Sequence, residues 1–172
     1  MLSEKMQAEL NKQINAELYS AYLYLAMSAY FESEDLPGMA QWMRLQYEEE
    51  VVHALKFYDY IHERRGRVLL APIEAVQTEW ESPLAVFEAA LAHEQHVTAL
   101  IHALVKLATE EGDYATQSFL QWFVDEQVEE EASADAVVQQ LRRVGDSASL
   151  LFLLDRELGQ RQAEAGGAEA EA

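Results

Sequence analysis

The sequence predicts an all-α fold: a four-helix bundle with one long crossover and a short fifth helix at its C-terminal end. Three observations carry this. Apolar residues recur at spacings of three and four through most of the 172-residue chain. Breaks are few, with only 7 Gly and 3 Pro, so the elements should be long. The helical segments fall into two closely joined pairs, separated by a much longer link over residues 67–81.

Punctuation marks each helix. The first runs from about Ser3, a good N-cap, to about Ser33, where "SEDLPG" ends it. The second runs from about Pro37, suited to a first helical turn, to Arg65, and stops at Gly66. His62, Arg64 and Arg65 put positive charge at its C-terminal end, where the helix dipole favours it. The third begins at Ser82-Pro83 and reaches Gly112, and the fourth runs from near Asp113 to near Gly145. The fifth covers about Ala148 to Leu158. These helices form one domain, residues 1–158, and the low-complexity acidic tail 159–172 is expected to be disordered. Short connections make helices one and two antiparallel, and likewise three and four. A helix of about 29 residues is ~43 Å long. The link 67–81, fully extended, spans at most ~50 Å, so it can cross the whole bundle. One long crossover of this kind is the topology of ferritin-like bundles.

The totals exclude several functions. The absence of cysteine removes disulfide scaffolds, thiol nucleophiles and thiolate metal sites, and is compatible with a cytoplasmic protein. No apolar run of about 20 residues exists for a membrane span. The N-terminus "MLSEKMQAELNKQ" does not read as a signal peptide. A net charge of −19 argues against nucleic acid and for cations as partners.

The placement of the acids is more telling than their number. The core stripe of the second helix is Met39, Met43, Gln46, Glu50, His53, Phe57, Tyr60. That of the first is Leu10, Ile14, Glu17, Ala21, Tyr24, Ser28, Phe31. That of the third is Phe87, Leu91, Glu94, Thr98, Ile101, Val105, Ala108, and that of the fourth is Leu120, Phe123, Gln127, Glu130, Ala134, Val137, Leu141. Each is apolar at its ends and polar near its middle, so the polar residues should meet at one level of the bundle. Burying unpaired carboxylates costs several kcal/mol each. No Lys or Arg lies on these stripes to pair with them. Cations must then sit among them, and oxygen donors with one imidazole suit Fe, Mn or Zn.

Di-iron bundles take one Glu from each of two helices and Glu-x-x-His from each of the other two. Glu17 and Glu94 fit the single positions, and Glu50-x-x-His53 is a complete pair. The fourth helix has Gln127-x-x-Glu130 instead. This predicts an asymmetric centre: one metal on Glu17, Glu50 and His53, the other on Glu50 as a bridge, Glu94 and Glu130, with Gln127 beside it. A weakly held second metal suits a site through which iron passes.

"NAELYSAYLYLAMS", "YEEEVVHALKFYDYI", "HEQHV" and "FLQWFVDEQVEEE", in this order, resemble the corresponding segments of bacterial non-haem ferritin, and the resemblance extends to about Leu158. It implies a ferroxidase and iron-storage protein. Fe(II) would be oxidised by O2 or H2O2 at an intrasubunit di-iron centre, and the ferric product stored in a homo-oligomeric shell of twenty-four subunits. By motif match, the two iron sites fall on Glu17, Glu50 and His53, and on Glu50, Glu94 and Glu130 with Gln127 adjacent. A third iron site matches Glu49, Glu126, Glu129 and Glu130, and Tyr24 matches a tyrosine implicated in electron donation. Haem is not expected, because Val51 and Val52 follow the bridging Glu where bacterioferritins carry a ligating Met. The short fifth helix would meet other subunits at the shell's four-fold axis.

Plainer readings stand beside these. Glu49, Glu126 and Glu129 could form a solvated acidic face, and Tyr24 could be a core tyrosine. His93 and His96 flank Glu94 and are expected at the surface, as are His62 and His102; Trp122 is expected to pack beside Phe123. Gln46 has no assigned role. The competing functions are another di-iron oxidase or peroxidase, and a non-catalytic structural shell subunit.

Overall fold

The computed structural model describes residues 2–162. Its elements are α1 (Glu4–Ser33), α2 (Pro37–Glu63), α3 (Pro83–Glu111), α4 (Tyr114–Val144) and α5 (Ala148–Leu158). No strand occurs among the described residues. The all-α bundle with one long crossover and a short fifth helix is therefore the observed architecture.

The helix ends follow local chemistry. Ser3 caps α1 by accepting from the Met6 amide at 2.9 Å, and donates to Glu111 Oε2 at 2.7 Å. That bond ties the start of α1 to the end of α3, so those two helices are antiparallel. Ser82 caps α3 through the Ala85 amide, with Pro83 at the first helical position. Gly112 ends α3 in the left-handed region at φ 66°, a conformation that carries no Cβ penalty for glycine. Asp113 caps α4 through the Thr116 amide and takes both Arg64 guanidinium nitrogens, at 3.0 and 3.1 Å. This forked pair joins the end of α2 to the start of α4.

The link 67–81 runs along α1. Asn11 donates to the Arg67 carbonyl and accepts from the Leu69 amide, and Asn15 donates to the carbonyls of Ala71 and Pro72. Further on, Trp80 meets Tyr30 edge-on at 5.5 Å. The asparagines thus satisfy backbone groups of a segment that has no ladder of its own. The link starts beside the first turns of α1 and ends beside its last.

Two apolar clusters fill the bundle. One includes Met27, Phe31, Met43 and Phe87, and the other Leu10, Phe57, Ile101 and Phe123. The polar middles of the four stripes lie between them. Every residue of the α1, α2 and α4 stripes is buried, and on α3 only Leu91, Thr98 and Val105 are partly exposed.

The fifth helix docks by one side. Leu154, Asp155 and Leu158 are buried, while Leu150, Phe152 and Leu153 are exposed. The first turn of α2 lacks a side-chain cap of its own. Asp155 supplies one across the interface, its Oδ1 accepting from the Met39 amide at 2.8 Å. The seat is close because it is made of glycines: a Cβ on Gly38 would lie 1.7 Å from the Asp155 carbonyl oxygen, and one on Gly159 would lie 3.0 Å from Gly38 Cα. Gly38→Ala is therefore expected to push α5 off its seat, at a cost of about 1–3 kcal/mol, the usual range for overpacking. Hydrogen exchange should show the loss of protection concentrated in α5.

The segment expected to be a disordered tail begins differently. Residues 159–162 continue from α5, and Arg161 lies with its guanidinium 4.7 Å from the centre of the Trp42 ring. The rest of that acidic tail, 163–172, lies outside the described residues.

Candidate metal centre

Glu17 on α1 and Glu50 and His53 on α2 converge in the middle of the bundle. One ligand atom from each lies within 4.8 Å of the others, and all three side chains are buried. The i, i+3 spacing puts Glu50 and His53 on one helical face, with His53 Nδ1 3.5 Å from Glu50 Oε2. Trp122 and Phe123 wall the imidazole, their rings edge-on at 5.4 and 6.0 Å. Trp122 does pack beside Phe123, but it also carries Lys56 over its outer face at 4.2 Å.

Three glutamines hold three of the carboxylates. Gln13 donates to Glu17 Oε1 at 2.8 Å, and Gln46 to Glu130 Oε2 at 2.7 Å. Gln127 donates to Glu94 Oε2 at 3.1 Å, with further contacts to the Glu94 carbonyl and Thr98 Oγ1. Tyr24 donates its hydroxyl to the other oxygen of Glu94. Glu50 lies among these groups, and its buried Oε2 has no hydrogen-bond partner. An acceptor left without a donor in a low-dielectric interior is costly.

Burial drives the acidities. It is the largest influence raising Glu17 well above the ordinary carboxyl range, with the nearby Glu50 charge adding to it and His53 opposing. Burial and then the charges of Glu94 and Glu130 raise Glu50 well above that range. Glu130 is pushed up to about 8 by burial and the Glu94 charge, against the hydrogen bond from Gln46. Burial raises Glu94 too, opposed by the Tyr24 and Gln127 hydrogen bonds. Tyr24 is itself raised, by burial and the Glu94 charge. Titrating at about 8, Glu130 holds a proton at neutral pH that a cation would displace, and the raised values of Glu17, Glu50 and Glu94 act in the same direction. The donor set, buried oxygens with one imidazole and a carboxylate oxygen that accepts no hydrogen bond, fits a hard or borderline divalent cation.

The groups matched to a third site differ in exposure. Glu49 is partly buried and takes Arg161 Nη2 at 3.0 and 3.3 Å, Glu126 is partly exposed and Glu129 is exposed. Gln46 is no longer without a role: Arg161 donates to its carbonyl oxygen while its amide holds Glu130. Gln13 was missed; it falls one residue off the α1 stripe, and its position four residues before Glu17 was the available signal.

His93 corrects an expectation. His96, His62 and His102 are exposed, but His93 is half-buried, 2.7 Å from Ser20 Oγ and beside the rings of Tyr19 and Tyr24. Glu94 faces the bundle axis and His93 precedes it by about 100° of helix. That rotation turns it toward α1 rather than toward water. Burial and then the His96 charge push it down to about 4, so it is neutral at neutral pH.

A bundle with one long crossover and a carboxylate–histidine cluster at mid-height defines the ferritin-like class of helical proteins. The model of that class, described as a ferritin-like domain, matches residues 7–144. The bacterial non-heme ferritin of Bacteroides fragilis (strain YCH46) is 49% identical over 161 residues, spanning 94% of this chain and 100% of that one. The bacterial non-heme ferritin of Staphylococcus aureus (strain MRSA252) is 40% identical, spanning 94% and 97%. Among solved structures, the open pore ferritin of the hyperthermophilic archaeon Archaeoglobus fulgidus superimposes with a TM-score of 0.93 at 54% identity, covering 94% of this chain and 100% of that one. A form of that protein engineered to be closed gives 0.94 at 54% identity, covering 95% and 100%. The chain belongs to the ferritin family, and bacterial non-haem ferritins are among its relatives.

Proposed function

We propose that this chain is a ferritin subunit that oxidises Fe(II) at the centre between its helices and stores the ferric product in a shell of like subunits. Family membership supports iron storage and a homo-oligomeric shell, and the resemblance puts the shell at twenty-four subunits. The observation that carries the catalytic reading is the convergence of Glu17, Glu50 and His53 within 4.8 Å, with a buried oxygen of Glu50 that accepts no hydrogen bond.

Iron is the substrate here. Glu17, Glu50 and His53 receive one Fe(II), and Glu50, Glu94 and Glu130 the other, with Gln127 restraining Glu94. Two Fe(II) each give up one electron, and O2 or H2O2 accepts them. Loading displaces the proton of Glu130, and hydrolysis of the ferric product releases more. The acidic residues on α2 and α4 are their nearest acceptors. Glu49, Glu126, Glu129 and Glu130 offer a third position on the exit flank. The resemblance gives Tyr24, hydrogen-bonded to Glu94, the role of electron donor to the oxidant. The ferritin-like domain spans residues 1–158 and acts in the cytoplasm without haem.

Aerobic addition of Fe(II) to the purified protein tests this. Ferric absorbance should develop faster than in protein-free buffer, and the iron should coelute with a large assembly on size exclusion. Oxidation at the protein-free rate, or iron that separates from the assembly, would overturn the proposal.

A further inference from the structure

The described residues hold one cation that reaches the centre's flank from outside the four long helices. Arg161 follows the α5 seat of Gly38, Asp155 and Gly159. It crosses the Trp42 ring and splits its guanidinium between two acceptors: Nη1 donates to Gln46 Oε1, and Nη2 to Glu49 Oε2 at 3.0 Å and Oε1 at 3.3 Å. The Arg161 and Glu49 side chains are only 23% and 20% exposed.

Arginine donates and never accepts. Contact with Arg161 therefore fixes Gln46 with its oxygen toward the guanidinium and its amide toward Glu130, where the bond is 2.7 Å. One side chain thus neutralises Glu49 directly and restrains Glu130 through Gln46. These are two of the four carboxylates matched to the third cation position.

We propose that Arg161 is a built-in competitor for divalent cations at the Glu49–Glu130 flank. A metal ion binds there only by displacing the guanidinium, and displacement releases Gln46 and Glu130 together. Arg161 is a positioning residue: it lowers affinity on this flank while leaving Glu17, Glu50 and His53 untouched, which favours iron that passes over iron that stays. This rests on the reading of Glu49 and Glu130 as metal-binding groups.

The test is anaerobic calorimetric titration of the assembled full-length protein with Zn(II) alone. Arg161→Ala should strengthen the weaker binding phase by about tenfold, the order expected for removing one partly buried, charge-assisted competitor. Arg161→Lys, which keeps the charge but loses the fork, should fall between. The gain should vanish in Arg161→Ala/Glu49→Gln, and the tight phase, lost in Glu17→Ala/His53→Ala, should be the same in Arg161→Ala as in the unaltered chain. Superimposable isotherms for Arg161→Ala and the unaltered chain would overturn this inference while leaving the ferroxidase reading intact. Absence of a tight phase in the unaltered chain would overturn both.

Discussion

Glu17→Ala combined with His53→Ala is expected to slow Fe(II) oxidation by at least about 100-fold without dissolving the assembly. Each replaced side chain contributes one of the three converging donors, leaving Glu50 alone at that position. Loss of a group that merely orients a ligand costs about 10–100-fold in metal affinity or activity, so loss of two direct donors should cost no less. The fold should survive, because the apolar clusters on either side of the centre are untouched. The lost packing is offset by removal of a buried carboxyl held far from its ordinary acidity. Stopped-flow absorbance under air measures the first effect, and circular dichroism with size exclusion the second. Native oxidation rates in a correctly assembled double variant would refute catalysis at this centre. Glu17→Gln, nearly isosteric, gives the same reading if the double variant assembles poorly.

Much of the geometry was legible in the sequence because two regularities suffice for it. A 3.6-residue period puts Glu17, Glu50, Glu94, Gln127 and Glu130 on buried faces, and helices of similar length bring their middles to one level. The residue before Pro83 and the glycine at 112 mark helix ends because capping is local chemistry. What escaped depends on contacts that a period does not encode. His93 was misplaced because a helix in a four-helix bundle touches two neighbours, so more than one face is covered. Stepping about 100° from Glu94 leads to α1 as readily as to water. Gln46 lacked a role because its partner, Arg161, lies in a segment whose composition reads as disordered. The three glutamine–carboxylate bonds are choices of rotamer and amide orientation. Composition shows only that glutamines are near, not which oxygen each one holds.

The proton load of the centre leads to the second large expectation: the metal-free protein should lose stability as pH rises from about 6.5 to 8. Glu130 titrates at about 8 in the folded chain against an ordinary 4.5. Between those values the folded state holds a proton that the unfolded state has lost, so the contribution is full below 4.5 and disappears as pH climbs through 8. Glu17 and Glu50, also raised, act in the same direction. His93 acts oppositely, since its folded value of about 4 lies below its ordinary 6.5; its contribution grows with pH up to 6.5 and is then complete. Above 6.5 the carboxyls therefore dominate. At about 1.4 kcal/mol per unit, Glu130 alone should remove roughly 1.5–2 kcal/mol across this window. Glu130→Gln keeps the shape but cannot ionise, so its thermal midpoint should fall less steeply from pH 6.5 to 8 than that of the unaltered chain. The surface charge of the acidic chain is nearly common to both, and the difference isolates the centre. Zn(II) should flatten the slope of the unaltered chain, because a bound cation takes the place of the protons. Equal slopes for Glu130→Gln and the unaltered chain would show that Glu130 is already ionised when folded, and that loading the centre does not require the release of its proton.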